Sequence, residues 1–69
     1  MMTLNRCKEN TNAKITWVAN ALSELYPDIK HGDNLTVIQA SIHDMIIRIN
    51  EKTLGLNKQA MSMIGVKPI

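Results

Sequence analysis

Few side chains in this 69-residue sequence could carry out a reaction, and their spacing keeps them apart. Cys7 is the one thiol, and the polar stretch around it offers no histidine to activate it as a nucleophile. His31 and His43 do not stand at zinc-site spacing from each other or from Cys7. His43 and Asp44 are neighbours, which on a helix would point them about 100° apart, so the carboxylate could not orient the imidazole. Asp28 and Asp33 bracket a turn containing His31 and Gly32, where capping and turn roles account for them. No glycine-rich phosphate loop is present. These residues predict a protein that is not an enzyme and that carries no cofactor and no resident metal.

A second set of polar residues suits contact with a macromolecule. From Lys52 onward the chain holds Lys52, Lys58 and Lys67 and no acidic side chain, whereas residues 1–34 balance four basic against four acidic groups. The net charge of +2 is too small to argue for nucleic acid by itself. Lys58, Gln59 and Ser62, supported by Lys52 and Lys67, are the residues that would reach base edges and phosphates if DNA were bound.

The elements that would position these groups read as helical. Asn10, Thr11 or Asn12 can cap a helix, and Ile15, Val18, Ala19, Leu22, Leu25 and Tyr26 then recur at three- and four-residue steps, forming one core-facing stripe. Tyr26-Pro27 ends this helix, because proline disfavours the helical conformation in the residue before it. A second stripe, Leu35, Ile38, Ile42, Met45, Ile46 and Ile49, predicts a helix over residues 34–54 that Gly55 stops. Asn57 caps a third, short helix over 57–64, with Leu56 stapled to Met61 and Gly65 after its end. The predicted fold class is therefore all-α: an antiparallel helical hairpin of residues 12–26 and 34–54 plus the short third helix. Residues 1–10 form a flexible N-terminal arm, and residues 11–69 form a single small helical domain.

Such a hairpin leaves apolar surface over. Ala40, Ile47 and Leu54 lie seven apart, off the main stripe of the second helix, and Trp17 points away from the stripe of the first. A chain this short has a thin core, and a lone cysteine rules out an intrachain disulfide. Trp17, Ala40, Ile47 and Leu54 are thus the predicted partner or dimer interface, with the fold completed by homodimerisation or by a protein partner. The lone thiol fits a reducing compartment. With no signal-peptide core and no apolar run near the ~20 residues of a membrane span, the expectation is cytoplasmic.

The stretch TLGLNKQAMSMI, residues 53–64, resembles the turn and recognition helix of bacterial helix-turn-helix regulators. Leu54-Gly55-Leu56 matches the turn, Asn57 the cap, Lys58-Gln59 the exposed pair, and Ala60, Met61, Ser62 and Ile64 the packing and outward positions. The resemblance implies a dimeric DNA-binding transcriptional regulator. A glycine-stopped helix followed by a capped amphipathic turn is equally ordinary bundle chemistry. The leading expectation is therefore a small non-enzymatic regulator of the inhibitor or adaptor type, from a phage or bacterial genome, acting by protein–protein contact. The DNA-binding regulator is its alternative.

Overall fold

Along Met45-Ile46-Ile47-Arg48-Ile49 the side chains alternate between core and exterior: Met45, Ile47 and Ile49 are buried, Arg48 is exposed and Ile46 lies between. A period of two belongs to a strand, and the β-branched residues of this run fit a pleated surface. The computed structural model describes residues 2–69, and alternation of this kind organises most of them. Six strands, β1 (Met2–Thr3), β2 (Asn12–Val18), β3 (Asn34–Ala40), β4 (Asp44–Ile49), β5 (Lys52–Asn57) and β6 (Ile64–Pro68), form one antiparallel sheet in the order β1-β6-β2-β3-β4-β5. Two short helices, α1 (Asn20–Leu25) and α2 (Lys58–Ser62), and a 3-10 turn at Leu4–Arg6 complete the described chain.

The all-α prediction is therefore overturned. Residues 12–18 of the first predicted helix are strand β2, and only Asn20–Leu25 is helical. The second predicted helix, 34–54, is β3, β4 and the start of β5. Its two halves turn where a helix would have continued. Ser41 and Asp44 clasp the β3–β4 turn: the Ser41 amide donates to the Asp44 carbonyl (2.9 Å), the Ser41 hydroxyl to Asp44 Oδ1 (2.6 Å), and the Asp44 amide to Ser41 Oγ (3.1 Å). Asn50 and Glu51 take φ of 49° and 66°, and Ile49 pairs directly with Lys52. Two central residues with positive φ make the tight hairpin turn whose twist matches its strands.

The β register explains why the helical stripe misled. Leu35, Met45 and Ile49 are buried under either reading, but Val37 and Ile47, which lay off the helical stripe, are fully buried. Ile38 and Ile42, which lay on it, are exposed. Ile38 occupies the irregularity between the Val37–Ile47 and Gln39–Ile46 pairs, and Ile42 sits at the β3–β4 turn. A second bulge falls between Ile15 and Trp17 on β2, opposite β6.

The core joins these strands to the ends of the chain. Ile15, Val37, Met45, Ile47, Leu56 and Ile64 pack with Leu22 of α1, Ile29 of the following loop and Met61 of α2. Residues 2–10, read from the sequence as part of a flexible arm over 1–10, pack into this body; Met1 lies outside the described residues. Leu4 is fully buried and Cys7 nearly so, the Asn10 amide donates to the Val37 carbonyl (2.7 Å), and the Val37 amide donates to Thr11 (2.9 Å). α2 keeps the cap expected of it, since Asn57 Oδ1 accepts from the Ala60 amide at 2.8 Å. No buried side-chain polar atom among the described residues lacks a partner.

Candidate functional site

The polar groups that could do chemistry are dispersed over the sheet and its loops, and three aspartates among them hold turns and loops. Asp28 pairs with Lys52 (3.1 Å) across the gap between the α1–β3 loop and the start of β5. Asp33 accepts from the Asn50 side chain (3.1 Å), tying that loop to the β4–β5 turn. Asp44 belongs to the β3–β4 clasp. Burial pushes the Cys7 thiol above its ordinary pKa, which leaves it protonated and poorly nucleophilic. Among the described residues no three His, Cys, Asp or Glu side chains converge as a metal site would require.

The surface offers instead an apolar cleft beside α1. Its first lobe, of about 270 Å³, lies between α1 and α2 and is lined by Ala21, Leu22, Leu25, Tyr26, Ala60 and Met63, with Asn57 and Gln59 at its polar rim. A second hollow, of about 440 Å³, opens over β4 and β5 at Ile46 and Gly55 and reaches Gln39 and Asp44. Tyr26 and Asn57 line both, so the two lobes meet at a ridge made by the end of α1 and the start of α2. The second lobe owes its openness to Gly55, whose Cβ position has no atom within 4 Å. Leu25 stands beside the first lobe with 75% of its surface exposed. Scattered apolar residues on a surface need no explanation, but an exposed leucine next to an apolar cleft is the setting in which a partner's side chains dock.

The residues singled out from the sequence are separated by the fold. Of the predicted interface, Ile47 is fully buried and Leu54 packs partly buried against the core, so the seven-residue line they formed with Ala40 is an inward face of the sheet. Ala40 also packs on the core, at the end of β3. Trp17 is 41% exposed on β2. Of the predicted nucleic-acid set, Lys52 is held by Asp28, Lys58, Gln59 and Ser62 lie on α2, and Lys67 lies on β6 opposite Lys14. Leu54-Gly55-Leu56 is strand rather than an interhelical turn, and α2 is five residues long and follows a strand. The helix-turn-helix geometry is therefore absent from residues 53–64. Leu25 and Tyr26, central to the cleft, were assigned to a core-facing stripe. The signal that distinguishes them is Pro27, which stops α1 just after them and leaves Leu25 on its outer end.

No family model matches this chain, and no curated protein matches it. Solved structures do match its fold. An iron uptake regulatory protein, FeoA, superposes with a TM-score of 0.88 at 14% identity, over 99% of this chain and 97% of that one. A FeoA-like protein from Clostridium acetobutylicum gives 0.82 at 16%, over 99% and 86%. Iron(II) transport protein A from Clostridium thermocellum gives 0.85 at 18%, over 99% of this chain and 46% of that one. A manganese-dependent transcriptional repressor gives 0.88 at 16% identity, and there the chain spans 41% of the repressor. At these identities the likeness establishes the fold: an SH3-like β-barrel of the FeoA type, and not a helical hairpin.

Proposed function

We propose that this chain is a small non-catalytic β-protein of Fe(II) uptake, acting by contact with another protein of the uptake machinery through the cleft at Leu25 and Tyr26. The observation that carries this reading is coextensive likeness: the barrel matches FeoA from end to end, over 99% of this chain and 97% of that one. Proteins described as iron(II) transport and iron uptake proteins thus superpose over 99% of this chain, the cleft's strands and helices included in that span. The scattered carboxylates and imidazoles and the protonated Cys7 give no support to a resident iron site in this chain. In this reading iron is the cargo of the uptake machinery. This replaces the inhibitor or adaptor and the helix-turn-helix regulator expected from the sequence.

The test is functional replacement. Expressed in a bacterium lacking its own FeoA, the chain should restore uptake of labelled Fe(II). Leu25→Glu should reduce that uptake at least tenfold while leaving the melting temperature unchanged, because the side chain is largely exposed. If the wild-type chain leaves uptake at the level of the empty vector in hosts whose own FeoA restores it, the proposal fails. If Leu25→Glu supports full uptake, the cleft is not the contact.

A further inference from the structure

The outer face of β6, β2, β3 and β4, beside the cleft's second lobe at Ile46, carries an unusual combination of side chains. Lys14 on β2 stands directly opposite Lys67 on β6 and opposite Asn34 on β3. Like charges directly opposed across two strands are destabilising, and neither ammonium has a carboxylate within ion-pair distance; the ion pair found among the described residues is that of Lys52 with Asp28. Beyond Asn34 the face dips into a trough of about 440 Å³ lined by the polar Asn12, Asn34, Thr36, Arg48 and Asn50 and by the apolar Leu35 and Ile69. Arg48 pairs with Thr36 across β3–β4. The carboxylate nearest in sequence, Asp33, accepts from Asn50.

Trp17 stands on the same side. Ile15 and Val18 pair with Val66 and Ile64, while the bulge sets Trp17 against Gly65. Thr16 and Trp17 are both exposed, so the indole lies on the outer side with Lys14. Lys67, Lys14 and Arg48 then span three inter-strand gaps, about 14 Å, and Trp17 flanks them about 10 Å along β2. The Thr36 hydroxyl donates to Asn12 Oδ1 (2.7 Å) and the Asn50 amide to Asp33, which leaves the Asn34 side chain and the Asn12 amide nitrogen to meet a ligand. Three cations without partners, these amides in a shallow trough and one exposed aromatic ring are what a single strand of nucleic acid uses: phosphates on the cations, a base stacked on the ring, base edges on the amides.

We infer that the outer face of β2, β3, β4 and β6 binds short single-stranded nucleic acid, with a base stacked on Trp17 and phosphates on Lys14, Lys67 and Arg48. The trough shares no lining residue with the Leu25–Tyr26 cleft, whose second lobe it adjoins on β4, and the inference stands independently of the iron-uptake reading. An unstacked base fits better than a duplex, because no element protrudes to enter a groove. A hollow whose lining is mostly amides, a hydroxyl and a guanidinium, with Ile69 exposed at its rim, suits a nucleotide strand better than a lipid surface, which favours a continuous protruding apolar patch.

Trp17 is the one tryptophan of the chain, so its fluorescence reads the site directly. Titration with a twelve-nucleotide mixed-sequence DNA or RNA strand at low salt should quench it. Affinity measured by anisotropy of the labelled strand should fall with salt along a slope of about −2, from three phosphate contacts at ~0.7 each. The double variant Lys14→Ala/Lys67→Ala should lose at least tenfold in affinity, and Trp17→Ala about tenfold, the order of one stacked base. Lys58→Ala, on α2, should bind as the wild type does. The lysine variants are exposed and relieve a repulsion, so their melting temperature should hold or rise, separating loss of binding from loss of fold. Absence of quenching at 100-fold excess strand would overturn the inference. So would quenching unchanged in the double lysine variant, or a response to anionic phospholipid vesicles with none to the oligonucleotide.

Discussion

Burial decides what Cys7 can do. With its pKa raised by desolvation, the thiol contributes stability that is fully present below its ordinary pKa of about 8.5 and is lost as pH rises toward the folded value. The melting temperature should therefore decline in mildly alkaline solution. Cys7→Ala should flatten that decline, and a profile unchanged by the substitution would show that other groups set it. In the native protein at pH 8, Cys7 should react with a thiol reagent at least tenfold more slowly than in denaturant. Nothing in the local sequence foretold this. MMTLNRCKEN is polar enough to read as an arm; the turn holding Leu4 meets α2 and β6, more than fifty positions away, and Cys7 lies beside Ala40 and Met45, more than thirty positions away. Asn57 is the opposite case. Its role depends on the next three residues alone, so it was legible, and Asn57→Ala should cost about 1 kcal/mol by removing the bond to the Ala60 amide.

The hairpin β4–β5 carries the contest between the two periodicities. Isoleucines at 38, 42, 46 and 49 trace a helical face, while residues 45, 47 and 49 trace a strand face, and a short run rich in isoleucine satisfies both templates. Two features could have decided it. One is the β-branched content of Met45–Ile49. The other is Asn50, a residue that tolerates positive φ, placed between two such runs. The β register makes a sharp prediction. Ile47→Ala should destabilise by about 2–5 kcal/mol, the range for truncating a fully buried isoleucine. Ile42→Ala, at the exposed turn, should fall within about 0.5 kcal/mol of wild type. A helical hairpin places Ile42 on its core stripe and makes Ile42→Ala costly as well, so urea titration of that variant beside Ile47→Ala discriminates the folds without a structure. At the turn itself, Glu51 holds φ of 66°, where a side chain is strained. Glu51→Gly should raise stability by about 0.5–1 kcal/mol as the strain is relieved in part against the added chain entropy. The cleft was hidden for the same reason as the hairpin: with residues 12–26 read as one helix, Leu25 and Tyr26 fell into its core stripe.

For the whole molecule the question is whether one copy can hide its apolar surface. The helical reading required a companion because Ile47, Leu54 and Trp17 had nowhere to go. The barrel places Ile47 and Leu54 inside, connects Leu4, Leu22, Ile29 and Met61 into the same cluster, and contracts the chain to a radius of gyration of 10.3 Å. About 11 Å is usual for a compact domain of this length. A core completed within one chain removes concentration from the folding equilibrium, because a midpoint depends on concentration only where a partner binds the native state. Thermal unfolding should therefore be cooperative, with a midpoint unchanged between 1 and 100 μM protein. The calorimetric enthalpy should be about 50 kcal/mol near 60 °C, from ~0.7 kcal/mol per residue, and should equal the van't Hoff value. Any partner at the Leu25–Tyr26 cleft or at the Trp17 face would then bind a body already folded, and would raise the midpoint by mass action. A midpoint that climbs with protein concentration alone would mean that the exposed Leu25, Ile42 and Trp17 are covered by a second copy. The folding of this barrel would then depend on association, as the helical reading required of a different fold.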